Sequence, residues 1–471
     1  MRLFVLASVL GAMVAAAAPN TTVTFNKDVL PILQKNCQNC HRPGEVAPMS
    51  LITYSDARPW AKAIKSAVST KKMPPWFAES GHRPIADERK LSDSDIATLV
   101  SWADNGAAEG NPKDAPPPVT FTTGWSLKPD VEVSLPVPFQ VPAKGDNQFV
   151  DVLVKTNFPT DMWIEGAEMR AGNSKVLHHG QVWVRPPGSQ WMKDAEPGKF
   201  YESGSDKAIM GKNQMSDGNY ILGKFNPGLG AQTFKVEGAA KFVPKGSDLV
   251  FNLHYVTIGE ATTDQTKVGL VLAKGYTPTK RYYLTHDPTS FNLVVLPGDP
   301  NAEVVGETLI GVDGVKLAYV QPHMHLRGKD YELQAIYPTG ESETLFKGKF
   351  DFNWQEGATF VNPIPLPKGT RLVGISHFDN SANNPYNPDP AKEVRWGPNT
   401  TDEMTGPWIG LIFDFNTPIE KVLVEVGTSL MKPVAGRGGP TLADALRLRT
   451  PGAAQPTATP ANLGAGKAPV D

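Results

Sequence analysis

Apolar residues in this chain keep a helical spacing as far as Pro116-Pro117-Pro118 and alternate residue by residue beyond it. A helix hides one stripe of its surface and a strand hides every second residue, so the change of period marks a change of architecture. It limits the chain to a small helical part, a stiff proline-rich linker and a long β part. Pro and Gly, 43 of each, favour many short strands over long helices, because both interrupt helices and punctuate turns. At 471 residues the chain has room for two to four domains.

The alternation is clearest in 149–154, 181–184, 249–256 and 411–415. Pro244-Lys245-Gly246, Asp313-Gly314 and Pro367-Lys368-Gly369 supply turns between such runs. The pattern predicts antiparallel sandwiches. The span is long for one of them, so two are expected, 121–276 and 277–432, meeting near Lys274 to Pro278. From 436 to 471 the chain is rich in Ala, Pro, Thr and Gly and reads as a disordered tail.

Before the linker (113–120), residues 22–112 carry both cysteines of the chain, in Cys37-Gln38-Asn39-Cys40-His41. A Cys37–Cys40 disulfide is one use of the pair. The following His41 favours another, because C-x-x-C-H is the attachment pattern of c-type haem, with thiols on the vinyl groups and imidazole on iron. Asn26 is placed to cap a first short helix. A second is expected from Ser55, with Trp60, Ile64, Ala67 and Val68 on its buried stripe, and a third after Ser92, ended by Asn105-Gly106. Three helices around this motif resemble a small all-α class I cytochrome c. That resemblance asks for a sixth iron ligand. Met73, on the loop Lys72-Met73-Pro74-Pro75-Trp76, is preferred, with Met49 and His82 as rivals.

The N-terminus reads as an export signal, residues 1–17. Arg2 is followed by the apolar run Leu3 to Val14 and the small residues Ala15 to Ala18, and Pro19 moves cleavage to Ala16 or Ala17. A membrane anchor is the alternative reading, though the run is short for a span. A periplasmic or secreted protein with no membrane span in the mature chain is expected. A net charge of −2 gives no reason to expect nucleic acid.

Histidine is scarce, with nine in all, and its placement in the β part is informative. His178-His179 heads one strand and His254 lies inside another. His323-Met324-His325 forms H-x-H, and Met404 follows in Thr401-Asp402-Glu403-Met404. In a strand, His323 and His325 would share a face and could hold one metal. His178 and His179 would point apart, so joint ligation needs a bulge or a strand end. Imidazoles with a thioether suit copper, which cycles between two oxidation states, whereas zinc has no use for the Met.

This set and its order resemble the copper type II, ascorbate-dependent monooxygenases, the family of peptidylglycine α-hydroxylating and dopamine β-monooxygenases. H-M-H-L-R-G after a strand, the L-H-Y strand and T-D-E-M carry the likeness, over about residues 130 to 430. The resemblance implies two jelly-roll sandwiches with one copper each. His178, His179 and His254 would hold the electron-transfer copper, and His323, His325 and Met404 the copper that meets O2 and substrate. It implies hydroxylation of an aliphatic C–H, with electrons from ascorbate, the fused haem or another redox protein. Peptide-amidating members bind a substrate carboxylate with an Arg and a Tyr where this chain has Gln321 and Trp408, so a small substrate of another kind is expected. His377 has no ligand role in that pattern and reads as a structural hydrogen-bonding residue. The rival readings are a non-catalytic haem and copper electron-transfer or copper-binding protein, and a binding module with degenerate sites.

Overall fold

The computed structural model describes residues 22–45, 47–86, 88–121, 124–145, 148–203, 220–226, 229–397 and 399–425. The expected export signal and the expected tail lie outside these. The chain divides into two compact units, 1–76 with 89–122, and 77–88 with 123–471.

The named elements of the first unit are all helical: α1 (Leu30–Asn36), α2 (Tyr54–Ala57), α3 (Ala61–Ser69), α4 (Asp93–Asp104) and short turns between them. Their apolar faces close on one core, in which Phe25, Val29, Leu33, Leu99 and Trp102 are essentially inaccessible. Ser92 caps α4 through the Asp95 amide, and Gly106, at φ 87°, lets the chain turn away after it, as the sequence suggests. Two details differ. A π-turn at Phe25–Val29 takes in Asn26, so the flanking residue is Thr24. The second helix starts one residue early, under a reciprocal Thr53–Asp56 capping box. Pro59 then tightens the next turn into a 3-10 segment, and Trp60 swings out to 42% exposure instead of joining the stripe. The prolines 116–118 stay with this unit, where Gln34 donates to the Pro117 carbonyl.

The second unit is built of sheets. One five-stranded sheet runs Phe200–Glu202, Gln148–Val154, Asp248–Tyr255, Leu177–Arg185, Tyr220–Phe225. A second runs Ser342–Lys349, Gly328–Ile336, Arg371–Phe378, Ala302–Ile310, Leu423–Glu425. A nine-stranded sheet is shared. Its first half, Val131–Ser134, Lys267–Leu272, Met162–Arg170 and Ala239–Val243, continues through Lys280–His286 into Pro407–Asp414, Val315–Pro322 and Ala358–Leu366, and Gln232–Thr233 pairs alongside. The join is a parallel pairing, Lys280↔Ala239 and Arg281↔Ala240. Strands on both sides of residue 276 thus belong to one ladder. Val152, Val182, Phe251 and Leu253 of the first five-stranded sheet pack on Ile164, Ala167, Val268 and Leu270 of the shared one, the two-layer burial that alternating strands require.

The segment 77–88, read from sequence as part of the helical region, is grouped with the sheets. It bridges Ala78 to Gly348 on one edge strand and Ile85 to Phe360 on another, and Arg83 pairs with Glu343. Edge strands expose unpaired backbone groups, and this strap satisfies some of them on two sheets. No helix among the described residues is long and apolar enough to cross a membrane.

Candidate metal centres

A β-bulge creates the first centre. His254 pairs with His179, but the next residue, Tyr255, pairs with Leu177, so His178 is the extra residue. The bulge turns its ring to the same side as His179. Ligand atoms of His178, His179 and His254 all lie within 4.8 Å of one another, the one such group of His, Cys, Asp or Glu among the described residues. His179 Nδ1 stands 3.1 Å from His178 Nδ1 and 3.2 Å from His254 Nδ1. Two imidazole nitrogens on one tetrahedral ion, each about 2.0 Å from it, would be roughly 3.3 Å apart. Hydrogen bonds between the rings can hold this arrangement, and three converging imidazole nitrogens could equally ligate one cation. Phe149 stacks on His254 at 3.8 Å and holds its ring.

The rings are kept neutral. Burial lowers the pKa of His178, lowers that of His179 well below the ordinary value with help from neighbouring histidines, and brings His254 to about 3. Neutral imidazole is the metal-binding form.

The second group sits just past the end of Val315–Pro322. His323 and His325 are on the loop and not in the strand, so the shared strand face expected from H-x-H is not what brings them together. Their ring centroids lie 5.5 Å apart and nearly perpendicular. His323 Nδ1 donates to Gln355 Oε1 at 2.6 Å, and His325 Nδ1 to the Asp402 carbonyl at 3.3 Å. The contact to Gln355 places the His323 proton on Nδ1 and leaves Nε2 as its lone-pair atom, whereas His325 is held by the carbonyls of both Asp402 and Asn399. Burial brings their pKa values to about 3 and about 4.

Met404 is half-buried on the neighbouring loop. Glu403, fully buried, accepts the backbone N–H groups of His325 at 2.8 Å and Arg327 at 2.7 Å, and burial raises its pKa to about 8. Gly406 accepts the His323 N–H at 3.0 Å. The residues around Met404 thus clamp the backbone of the H-x-H turn, and buried Arg327 closes it through Asn380 and the Thr401 carbonyl. The two histidine groups are neighbours: His178 stacks with Phe352 at 5.7 Å, and His323 and His325 contribute to holding down the His179 pKa.

Sequence reasoning missed four residues here. Glu403 and Gln355 have acidic and amide signatures too common to single out. Lys224 is a buried amine in an apolar strand. It donates to Gln321 Oε1 and sits 4.6 Å over the Trp408 ring, joining the two positions that depart from the amidating pattern. His286 ends the strand Lys280–His286, 4.7 Å from Trp408 and 5.6 Å from His323. As one of nine histidines it could have been found by enumeration. His377 pairs with Asp330 at 2.6 Å and Glu303 at 3.5 Å, in the hydrogen-bonding role expected of it.

In the first unit, Cys37 to His41 form a turn after α1, with the His41 amide donating to the Cys37 carbonyl. Cys37 and Cys40 are not joined in a disulfide, and burial pushes the Cys37 thiol up to about 12. His41 Nδ1 faces the Met49 carbonyl at 3.3 Å, which makes it the donor and leaves Nε2 as the lone-pair atom. Met49 packs against the helical core, and Met73 is half-buried on its loop after α3. His82 lies in the strap grouped with the second unit.

No family model matches the chain, and no curated protein matches it. Among solved structures, a peptide-N(4)-(N-acetyl-β-D-glucosaminyl) asparagine amidase is 11% identical, covering 62% of this chain and 99% of its own, with a TM-score of 0.26. Infectious bursal disease virus Gx strain is 9% identical over 63% and 76%, with a TM-score of 0.19. A variant oxalate decarboxylase of B. subtilis is 9% identical over 68% and 84%, with a TM-score of 0.14. Scores this low carry no argument about fold or function.

Proposed function

We propose that the chain is an exported, copper-dependent monooxygenase with two copper ions and a covalent haem c. Its reaction consumes a small substrate, O2, two electrons and two protons, and gives the alcohol and water. The observation that carries the reading is the convergence of His178, His179 and His254 through a bulge, beside a second histidine group in which Gln355 holds His323 with Nε2 as its lone-pair atom. In this reading the sheets form two jelly-roll domains and the helical unit is a class I-like cytochrome c.

Bound copper would supply one-electron cycling and activation of O2. The protein's part is to hold neutral donors in place. The first triad would store one electron. At the second centre, Gln355 fixes the tautomer of His323, the Asp402 carbonyl holds His325, Glu403 anchors their turn, and Met404 supplies a soft thioether that favours the reduced ion. In the helical unit, Cys37 and Cys40 would tether haem, His41 would bind its iron, and Met73 is the preferred sixth ligand. Electrons would come from that haem, from ascorbate or from a redox partner.

Metal analysis tests this at once. Purified holoprotein should hold one haem iron and two coppers per chain, and the haem should resist extraction by acidified organic solvent. Near-equal iron and copper, or extractable haem, would sink it. Reductant-dependent O2 uptake with a screened metabolite extract separates the enzyme from a non-catalytic copper protein.

A further inference from the structure

The second histidine group is larger than the H-x-H pair. His286 comes from a different strand, and its ring centroid lies 5.6 Å from that of His323, which in turn is 5.5 Å from that of His325. Two imidazoles sharing an ion through nitrogens about 2 Å from it hold their centroids roughly 5–6 Å apart. The three rings of the first centre stand at 5.2, 5.0 and 4.6 Å.

The protons of His286 and His323 are arranged alike. A ring nitrogen that faces an oxygen acceptor carries the proton. His323 meets Gln355 Oε1 through Nδ1, and His325 meets the Asp402 carbonyl through Nδ1. His286 is bonded to the Gly406 carbonyl, and because its Nε2 is without a partner, Nδ1 must be the donor. His286 and His323 thus offer Nε2 as a lone pair, and His325 is bonded to the Asn399 carbonyl as well as to that of Asp402. For His286 the Nε2 atom is buried with no hydrogen-bond donor, an arrangement that is unfavourable unless something binds there. The same Gly406 carbonyl accepts the His323 backbone N–H, so one peptide group holds His286 and His323 in register.

We infer that His286 is a third imidazole ligand, through Nε2, of the metal held by His323 and His325. This rests on the reading that those two residues hold a metal. Among the described residues only the first triad has its ligand atoms within 4.8 Å, so His286 and the H-x-H loop draw closer when the ion binds. With Met404 the donor set becomes three nitrogens and one sulfur. The added imidazole favours the oxidised ion more than two imidazoles and a thioether do.

The test uses the full-length holoprotein loaded with Cu(II), as wild type, His286→Asn, His286→Gln and His323→Ala. Asn can still donate to Gly406 but has no second nitrogen to offer, so it preserves the contact and removes the ligand. Copper retention against a competing chelator and the Cu(II) EPR spectrum are the readouts. Wild type is expected to keep two coppers. His286→Asn and His286→Gln should weaken one of them by at least about tenfold and change its EPR signal, with the first centre's signal unaltered. Two coppers with unchanged affinity and spectrum in either folded His286 variant would overturn the inference. If His323→Ala also keeps both coppers, or wild type holds only one, the metal reading of the second group fails and His286 falls with it.

Discussion

At the scale of single residues, the candidate centres depend on lone pairs held in fixed directions. In the proposed reading Met404 is the soft donor of the second centre. Replacing it with Ala should lower hydroxylation on the order of 100-fold or more while haem content and circular dichroism stay as in wild type. Unchanged turnover would remove this Met from the site. His377 is a residue of a different kind. Its bond to Asp330, then that to Glu303, raises its pKa to about 9, above an unfolded value near the ordinary 6.5. A raised pKa gives stability that is complete below about pH 6.5 and is lost as pH rises through 9. The shift corresponds to roughly 3 kcal/mol at most, and partial exposure of the His377 side chain, 24%, reduces this to about 1–2 kcal/mol after screening. Urea unfolding of wild type and His377→Asn should therefore differ by about that much at pH 6 and converge near pH 10. A gap that is the same at both would show that the ion pairs contribute nothing.

Among elements, the bulge and the strap are the features that alternation cannot announce. His178-His179 in an unbroken strand would face opposite sheets. The extra residue opposite His254 and Tyr255 is what unites them, and its position depends on how two distant strands pair. The strap 77–88 lies against Gly348, where an added Cβ would meet the Phe77 carbonyl at 2.7 Å. Gly348→Val should push the strap off and break the Glu79-to-Lys347 and Lys349-to-Phe77 hydrogen bonds. The cost should be about 1–3 kcal/mol, seen as a lower melting temperature and a new protease cut within 77–88. Resistance equal to wild type would mean the strap is held by other contacts.

On the scale of the whole molecule, in the proposed reading, fusing a haem unit to a copper unit would raise the effective concentration of one redox partner for the other. If the haem is the donor, pre-reduced haem should reoxidise with O2 and substrate at a rate that depends on copper. His178→Ala should slow that step by disabling the acceptor triad, with the absorbance of the His41-ligated haem unchanged. Stopped-flow traces of both proteins, with and without copper, decide it. Equal rates in all four would exclude the route and leave ascorbate or a separate partner as the source of electrons.

Much of this was open to reading from residues alone, because it depends on local chemistry. C-x-x-C-H, the change of period at Pro116-Pro117-Pro118, the Ser92 cap and the turns at Gly246, Gly314 and Gly369 are set by neighbours a few positions away. The six copper-ligand candidates were legible as an ordered set. Local pattern failed where a choice was made at long range. Trp60 keeps helical spacing yet faces outward because Pro59 tightens its turn. The strap joined the sheets because two edge strands, more than 250 residues further on, offered it backbone partners. His286, Gln355 and Glu403, at or beside strand ends of the nine-stranded sheet, met His323 and His325 only because that sheet runs continuously across the middle of the chain. Periodicity states which side of a strand is buried, and only the pairing of strands decides which buried side chains meet.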